Sequence, residues 1–138
     1  MKIKAIIVAA GRGTRIKSRI PKALMLLAGQ PLFLHALKIF QKNVKIAGTI
    51  LVVPDGFEAR FRRLSKKVQG RKEIKIVIGG ESRRDSVRHG LAELDADTDY
   101  VLIHDAARPF VTTRVNDSFL SAMALPSICA ATSHATLW

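Results

Sequence analysis

The chain has 138 residues, of which 23 are basic and 11 acidic, giving a formal net charge of +12, and 48% of its residues are apolar. This length and composition predict a single soluble domain whose core needs neither disulfides nor a structural metal. The one cysteine, Cys129, excludes an internal disulfide and a cysteine-rich zinc site. The first apolar run is too short for a membrane span and ends at Gly11, so a cytoplasmic protein is the default expectation.

Aliphatic runs alternate along the chain with segments whose apolar residues recur at helical spacing. The aliphatic runs predict strands at residues 3–9, 49–53, 74–78 and 100–103. The segments with helical spacing predict helices at residues 31–40, 56–68 and 82–94. This alternation predicts an α/β fold with a mainly parallel sheet and helices on both of its faces.

Charge is distributed unevenly along the chain. Residues 1–90 carry a net charge of +16, whereas residues 91–138 carry a net charge of −4. A basic segment suits nucleic acid, a membrane surface or a small polyanion. In the most basic run, however, Phe61, Leu64 and Val68 recur at helical spacing with cations between them, which favours a solvated helix face. With one Tyr and one Trp available for stacking, nucleic-acid binding is not expected.

A loop with glycines and cations follows the first predicted strand. Gly11 and Gly13 allow backbone N–H groups to approach a phosphate closely, and Arg15 and Lys22 are suited to balance the charge of a polyphosphate. The loop has neither the P-loop pattern nor the third glycine of the dinucleotide fingerprint. A plain tight turn explains the glycines equally well, but a turn has no need of two cations.

The segment after the third predicted strand begins with two glycines and then enters a helix. Ser82, followed three residues later by Asp85, predicts a capped helix start. The adjacent Arg83 and Arg84 are not explained by capping, because cations are disfavoured near a helix N-terminus unless an acid or an anion is nearby.

Asp105 follows the fourth predicted strand, at the edge of the sheet where ligands of such folds bind. A carboxylate beside phosphates suits Mg²⁺, which prefers oxygen ligands and keeps water and substrate phosphates in its shell. The adjacent His104 is expected to be a hydrogen-bonded structural residue, since Mg²⁺ disfavours nitrogen ligands. The alternative for Asp105 is a local ion pair with Arg108 that holds a turn.

These three segments together carry a resemblance to a known family. The segments are Ala9-Ala10-Gly11-x-Gly13-x-Arg15 with Pro21-Lys22, Gly79-Gly80-x-x-Arg83-x-Asp85-Ser86-Val87-x-x-Gly90-Leu91, and His104-Asp105-Ala106-Ala107-Arg108-Pro109. Over residues 3 to about 115 the chain resembles the 2-C-methyl-D-erythritol 4-phosphate cytidylyltransferases of the non-mevalonate isoprenoid pathway. The resemblance implies a Rossmann-like nucleotidyltransferase fold and transfer of CMP from CTP to the alditol phosphate, with release of pyrophosphate.

The resemblance also implies residue roles. Arg15 and Lys22 are the implied catalytic residues, which stabilise charge on the triphosphate and on the pentacoordinate phosphorus. The implied nucleotide-binding residues are Ala10, Gly11, Gly13, Gly80, Glu81, Ser86 and Arg108. Asp105 is the implied ligand of Mg²⁺. No serine or cysteine nucleophile is implied, because a phosphate oxygen of the alditol phosphate attacks CTP directly.

The resemblance does not extend to the C-terminus. Residues 1–117 are expected to form the nucleotide-binding part, and residues 118–138, which contain no Asp, Glu, Lys or Arg, a divergent tail. The family's polyol-phosphate residues and the arm that joins its homodimer are not matched, so we expect truncation or a frameshifted tail, a sheet incomplete on its C-terminal side, and weak or absent turnover. The expected partners are CTP and a polyol phosphate, without a membrane.

Two alternatives to this reading remain. Cytidylyltransferases for another polyol phosphate, such as ribitol 5-phosphate, share all three motifs. A non-catalytic module that binds a nucleotide or RNA through the basic segment is the alternative from a different class.

Overall fold

The computed structural model describes residues 1–11, 20–107 and 130–131. The strands are β1 (Ile3–Val8), β2 (Leu26–Leu27), β3 (Gln30–Pro31), β4 (Ile46–Val53), β5 (Glu73–Ile78), β6 (Tyr100–Asp105) and β7 (Ala130–Ala131). The helices are α1 (Leu32–Lys42), α2 (Glu58–Ser65) and α3 (Arg83–Ala92), with a short 3-10 helix at Lys22–Leu24. None of the helices in the described ranges is long and apolar enough to cross a membrane.

The main sheet has the strand order β5-β4-β1-β6-β7. Strands β5, β4, β1 and β6 are parallel, and β7 adds an antiparallel edge through the pairs Val101 with Ala131 and Leu102 with Ala130. The predicted mainly parallel sheet is confirmed.

Both faces of this sheet are covered by helices. Side chains alternate along each strand, so Ile7 and Leu51 pack with α1 and α2, whereas Ile6 and Val52 pack with α3. The chain moves outward from β1 to β4 and β5 and then returns to β6 on the other side of β1. Because parallel crossovers are right-handed, this reversal of direction places α3 on the opposite face from α1 and α2. The predicted helices on both faces are confirmed.

One predicted boundary is wrong in a way that affects the site. Strand β6 ends at Asp105 rather than at residue 103, because His104 and Asp105 continue the parallel ladder opposite Ile7 and Val8 of β1. Asp105 is therefore the last residue of a strand and not part of the following loop. A rigid strand end fixes the position of its backbone more firmly than a loop does.

The sequence reading also missed the hairpin of β2 and β3. Its turn is Ala28-Gly29, and both residues have positive φ values, 51° and 77°. From α1, His35 Nε2 hydrogen-bonds the Leu27 carbonyl at 2.7 Å, and Lys38 donates to Gln30 at 2.6 Å. The hairpin that follows Lys22–Leu24 is thus held against α1.

Charges from the two halves of the sequence meet at the amino-terminal edge of the sheet. Lys4 of β1 is buried and lies 2.7 Å from Asp95, which also lies 2.8 Å from Lys2. Hydrogen bonds from Lys2 and then Lys4 lower the pKa of Asp95 to about 2. Part of the sequence's uneven charge is therefore compensated inside the fold.

The basic run on α2 behaves as a solvated helix face. Phe61 is buried in the core, Leu64 and Val68 pack against it, and the cations between them are exposed, although α2 itself ends at Ser65. This arrangement agrees with the solvated-face interpretation.

Candidate active site

The carboxyl ends of β1, β4, β5 and β6 lie side by side at one edge of the sheet. Backbone N–H groups tie neighbouring ends together at 2.7–2.9 Å, from Ala9 to Val52, from Gly79 to Val53 and from Ala106 to Val8. The segments after β1 and β5 and the end of β6 therefore converge, as the sequence predicts. Strand β4, which follows β1 in this sheet along the chain, lies on one side of β1, whereas β6 lies on the other side. Parallel sheets open a ligand crevice where the strand order reverses in this way.

The start of α3 packs tightly against the end of β1. A Cβ on Gly79 would lie 2.3 Å from the Cβ of Ala10 and 2.6 Å from Ser86 Oγ, and a Cβ on Gly80 would lie 2.4 Å from the Cβ of Asp85. Space, rather than an unusual φ, therefore excludes a side chain at both glycines. Ala10, Gly80 and Ser86 of the predicted nucleotide site are brought together by this packing.

Ser86 fixes the loop that contains Gly80. Its side chain is buried, with 2% exposure, and its Oγ accepts a hydrogen bond from the Gly80 N–H at 3.1 Å. The buried Ser86 hydroxyl thus holds the Gly80 loop in place and is not presented at the surface. Glu81 is exposed and forms no side-chain hydrogen bond or ion pair with the described residues.

The capped helix start is confirmed. Ser82 Oγ accepts a hydrogen bond from the Asp85 N–H at 3.0 Å and donates to the Asp85 carboxylate at 2.7 Å. The hydrogen bond that the Ser82 hydroxyl donates to the carboxylate lowers the pKa of Asp85. The first turn of α3 is therefore satisfied without either of the two arginines.

Arg83 pairs with Asp105. Its Nε–H donates to Asp105 Oδ1 at 2.9 Å, with the two side chains 62% and 30% exposed. Asp105 supplies the nearby acid that makes a cation acceptable at this helix N-terminus. From the sequence, capping explains neither arginine and no role in the site is assigned to either. The partner of Arg83 lies 22 residues away in sequence, and only the sheet brings the two residues together. Arg84 is exposed and has no ion pair within the described ranges.

His104 has a structural position, as expected. Its ring packs edge-on against Phe40 of α1, with centroids 5.7 Å apart and an interplanar angle of 74°. It thus faces the α1 side of the sheet. Arg108, the alternative partner that the sequence suggests for Asp105, lies outside the described residues, as do Gly13 and Arg15.

Gly11 and Lys22 mark the two described ends of the first loop. A Cβ on Gly11 would meet no described atom within 4 Å, and its φ lies outside the left-handed region. Packing by the described residues therefore does not require a glycine there. Lys22 is exposed at the start of the 3-10 helix, and its ammonium forms no hydrogen bond or ion pair with any described residue.

The donor set suits a divalent cation that arrives with its ligand. Among the described residues, no three His, Cys, Asp or Glu side chains come together as a metal centre. Asp105 offers a carboxylate at this edge, and Mg²⁺ typically takes one or two carboxylates and completes its shell with phosphates and water. The residues fit a cation bound jointly with a polyphosphate and not a preformed metal site.

A parallel sheet with two glycine-containing segments and a carboxylate at its carboxyl edge is typical of nucleotide-binding α/β proteins. The chain belongs to the IspD family, 2-C-methyl-D-erythritol 4-phosphate cytidylyltransferase, whose family model matches residues 3–137.

Curated relatives and solved structures agree with this assignment. The cytidylyltransferase of Alkaliphilus metalliredigens is 41% identical over 115 residues, which cover 83% of this chain and 48% of that protein. The enzyme of the same name from Caldicellulosiruptor bescii is 39% identical over 121 residues, covering 88% and 53%. The crystal structure of 4-diphosphocytidyl-2C-methyl-D-erythritolsynthase from Anaerococcus prevotii superposes with a TM-score of 0.76 and 27% identity, covering 88% and 51%. The chain spans about half the length of these relatives.

Proposed function

We propose that this chain carries the CTP-binding part of a cytidylyltransferase. The whole protein transfers CMP from CTP to 2-C-methyl-D-erythritol 4-phosphate and releases pyrophosphate, in isoprenoid precursor biosynthesis. The observation that carries the proposal is the meeting of the Gly11 segment, the Gly80 segment and Asp105 at one sheet edge, in a chain of this family. For residues 1–138 the proposal is nucleotide binding, and transfer is proposed for the whole protein.

The reaction requires positioning and charge neutralisation rather than a protein nucleophile. A phosphate oxygen of the alditol phosphate forms a bond to the α-phosphorus of CTP, while the bond from that phosphorus to the bridging oxygen of pyrophosphate breaks. Lys22, exposed and with no described side-chain partner, is proposed to neutralise phosphate charge, and Arg15 is proposed as the second such cation. Backbone groups at Ala10 and Gly11 are proposed to approach the phosphates, and the space beside Gly11 is free of described atoms within 4 Å of a Cβ.

The remaining predicted site residues are proposed to bind either the nucleotide or the divalent cation. Gly80, held by Ser86, is proposed to contact cytidine through its backbone, with Glu81 beside it at the surface. Gly13 and Arg108 remain predicted nucleotide-binding residues. Asp105 is proposed to hold a divalent cation such as Mg²⁺, which supplies positive charge to the triphosphate when bound.

Calorimetric titration with CTP, UTP, ATP and GTP, each with and without Mg²⁺, tests this proposal. We expect CTP to bind at least about tenfold more tightly than the other triphosphates, because a site built to pair with one base leaves polar groups unpaired with another. Asp105→Asn removes the effect of Mg²⁺ on CTP binding. Asp97→Asn, the same change at the opposite edge of the sheet, is the matched control. Equal binding of all four triphosphates, or of none, would contradict the proposal.

The family resemblance also leads us to propose a cytoplasmic homodimer for the whole protein. Sedimentation of the full-length enzyme measures the oligomer directly, and a monomer at enzyme concentrations well above those of the assay would contradict this part.

A further inference from the structure

We propose that Arg83 occupies Asp105 before a cation arrives, and that cation binding transfers the Arg83 guanidinium from Asp105 to the phosphates of the nucleotide. The first half of the inference concerns Arg83, Asp105 and a divalent cation alone. The second half rests on the proposed function.

The geometry of the pair favours exchange over permanent pairing. Between these two described side chains a single contact is formed, from Arg83 Nε to Asp105 Oδ1 at 2.9 Å, and the arginine side chain is 62% exposed. Single solvated ion pairs of this kind contribute little to stability and are readily exchanged. A paired arginine that served mainly to hold the fold would be expected to be buried or bidentate.

The pair also lies where a nucleotide would have to bind. Asp105 is opposite Val8 at the end of β6, and Arg83 begins α3, which packs against the end of β1 through Gly79 and Ala10. The Arg83 side chain therefore joins α3 to β6 across the edge where the glycine segments converge. Ser82, the N-cap of α3, and Asp85 in its first turn hydrogen-bond one another, so the helix start does not depend on Arg83.

A guanidinium and a divalent cation repel one another when they share one carboxylate. At the distance of a shared carboxylate this repulsion is appreciable even in water. The arginine therefore lowers the affinity of Asp105 for a cation in the nucleotide-free protein. Once displaced, the planar guanidinium matches phosphate oxygens well and has a new partner if a triphosphate arrives with the cation. Cation and nucleotide then bind cooperatively, and neither binds well alone.

Mn²⁺ binding without nucleotide, followed by the electron paramagnetic resonance of free Mn²⁺, tests the first half. The proteins compared are the wild type, Arg83→Gln, Arg84→Gln and Asp105→Asn. We expect Arg83→Gln to tighten the Mn²⁺ Kd by about three- to tenfold, the size expected for removing one neighbouring unit charge. The matched control, Arg84→Gln, loses the same charge one residue away and changes the Kd by less. Asp105→Asn abolishes binding. Equal effects of the two arginine variants, or Mn²⁺ binding that survives Asp105→Asn, would overturn the inference.

A measurement on the wild-type chain removes any dependence on the folding of a variant. The side-chain Nε–H resonance of Arg83 is followed by NMR while Mg²⁺ is added. We expect this resonance to move as Mg²⁺ saturates the site and that of Arg84 to stay in place. An Arg83 resonance that is unchanged at saturation would show that the pair persists, and would overturn the exchange.

The second half predicts an effect of opposite sign. With Mg²⁺ present, Arg83→Gln weakens CTP binding by about fivefold or more, since a charge-assisted contact to phosphate is lost, although the same change tightens Mn²⁺ binding alone. Wild-type protein that binds CTP no better than Arg83→Gln overturns this half by itself. If the wild type binds no triphosphate at all, the proposed function fails, and the nucleotide-free Mn²⁺ comparison still decides the first half.

Discussion

The hydroxyl of Ser86 accepts a hydrogen bond from the backbone N–H of Gly80 at 3.1 Å. The same oxygen would lie 2.6 Å from a Cβ on Gly79. One buried serine on the first turns of α3 thus both directs the loop before the helix and limits the size of the residues in it. The position of the loop at the sheet edge follows from this contact.

Ser86→Ala is predicted to lower the free energy of unfolding by about 1–2 kcal/mol, because the partly buried Gly80 N–H loses its acceptor. Urea denaturation measures this change, and CTP titration should show weaker binding as the loop loosens. Thr49→Val is the control, since the buried Thr49 hydroxyl has no partner in the described part of the chain and its removal should be neutral or stabilising. A Ser86→Ala protein as stable as the wild type would contradict the structural role.

Gly79 and Gly11 are predicted to respond differently to alanine. Gly79→Ala places a methyl group against Ala10 and Ser86, and should destabilise the fold by about 2 kcal/mol or more. Gly11→Ala meets open space among the described residues, and should change stability by less than about 0.5 kcal/mol. We expect Gly11→Ala nevertheless to weaken CTP binding by about tenfold, because the methyl group keeps phosphates away from backbone N–H groups.

Thermal unfolding and calorimetry on the same two variants separate the roles. A Gly11→Ala protein that binds CTP normally would remove this glycine from the proposed phosphate contacts. A Gly79→Ala protein of wild-type stability would contradict the tight packing between α3 and β1.

The features that were predictable from the sequence are those set by local periodicity. The aliphatic runs around Ile6, Ile50 and Val101 are buried on both sides of the sheet, so they are apolar at nearly every position, which marks central parallel strands. Ser82 and Asp85 predict their own hydrogen bonds because the two residues lie one helical turn apart. The convergence of the loops follows from the general rule that parallel strands present their carboxyl ends at one edge.

The features that were not predictable depend on residues distant in sequence. The partner of Arg83 is Asp105 on another strand, and Lys4, a charge inside an apolar run, is buried because Asp95 and Glu73 reach it. The predicted end of β6 is two residues early because the aliphatic run stops at Ile103 and Asp is uncommon in strands, whereas the ladder with β1 decides the boundary. Local pattern carries no information about such pairs.

The pairing of Asp95 with Lys2 and Lys4 predicts a loss of stability in acid. The pKa of Asp95 is lowered to about 2, below the ordinary value of about 3.9. The native state therefore binds this proton less readily than the unfolded chain does. The stabilisation is present above about pH 4 and is lost as the pH falls towards 2.

Asp95→Asn is accordingly predicted to lower stability at neutral pH and to reduce the further loss between about pH 4 and pH 2. Urea denaturation at several pH values measures both effects. Asp97→Asn is the control, because its carboxylate is 72% exposed and, among the described residues, contacts Lys2 alone, so a smaller change is expected. If Asp95→Asn and the wild type lose the same stability between about pH 4 and pH 2, the pairing of Asp95 with Lys2 and Lys4 does not contribute to the acid sensitivity.

Substitution of Lys22 distinguishes a specific contact with phosphate from the general attraction of a basic protein for an anionic nucleotide. Lys22 is exposed on the 3-10 helix, whose C-cap Met25 accepts a hydrogen bond from the Leu32 N–H at the start of α1, and α1 begins at the carboxyl edge of the sheet, where the predicted site lies. Lys45, which is also exposed, directly precedes β4 at the opposite edge. Lys22→Gln and Lys45→Gln therefore remove the same charge from two ends of the sheet. We expect Lys22→Gln to weaken binding of CTP with Mg²⁺ by about tenfold, as for loss of a charge-assisted contact.

Neither substitution should change stability by more than about 0.5 kcal/mol, because neither side chain has a described partner. Lys45→Gln should change CTP affinity by less than about twofold, since exposed charges on distant surfaces are screened at physiological salt. Titrations with CMP, which lacks the β- and γ-phosphates, show which phosphates Lys22 contacts. If Lys22 contacts the β- and γ-phosphates, Lys22→Gln and the wild type should differ less in their affinity for CMP than in their affinity for CTP. Equal losses of CTP affinity in the two variants would reduce the role of Lys22 to that of net charge.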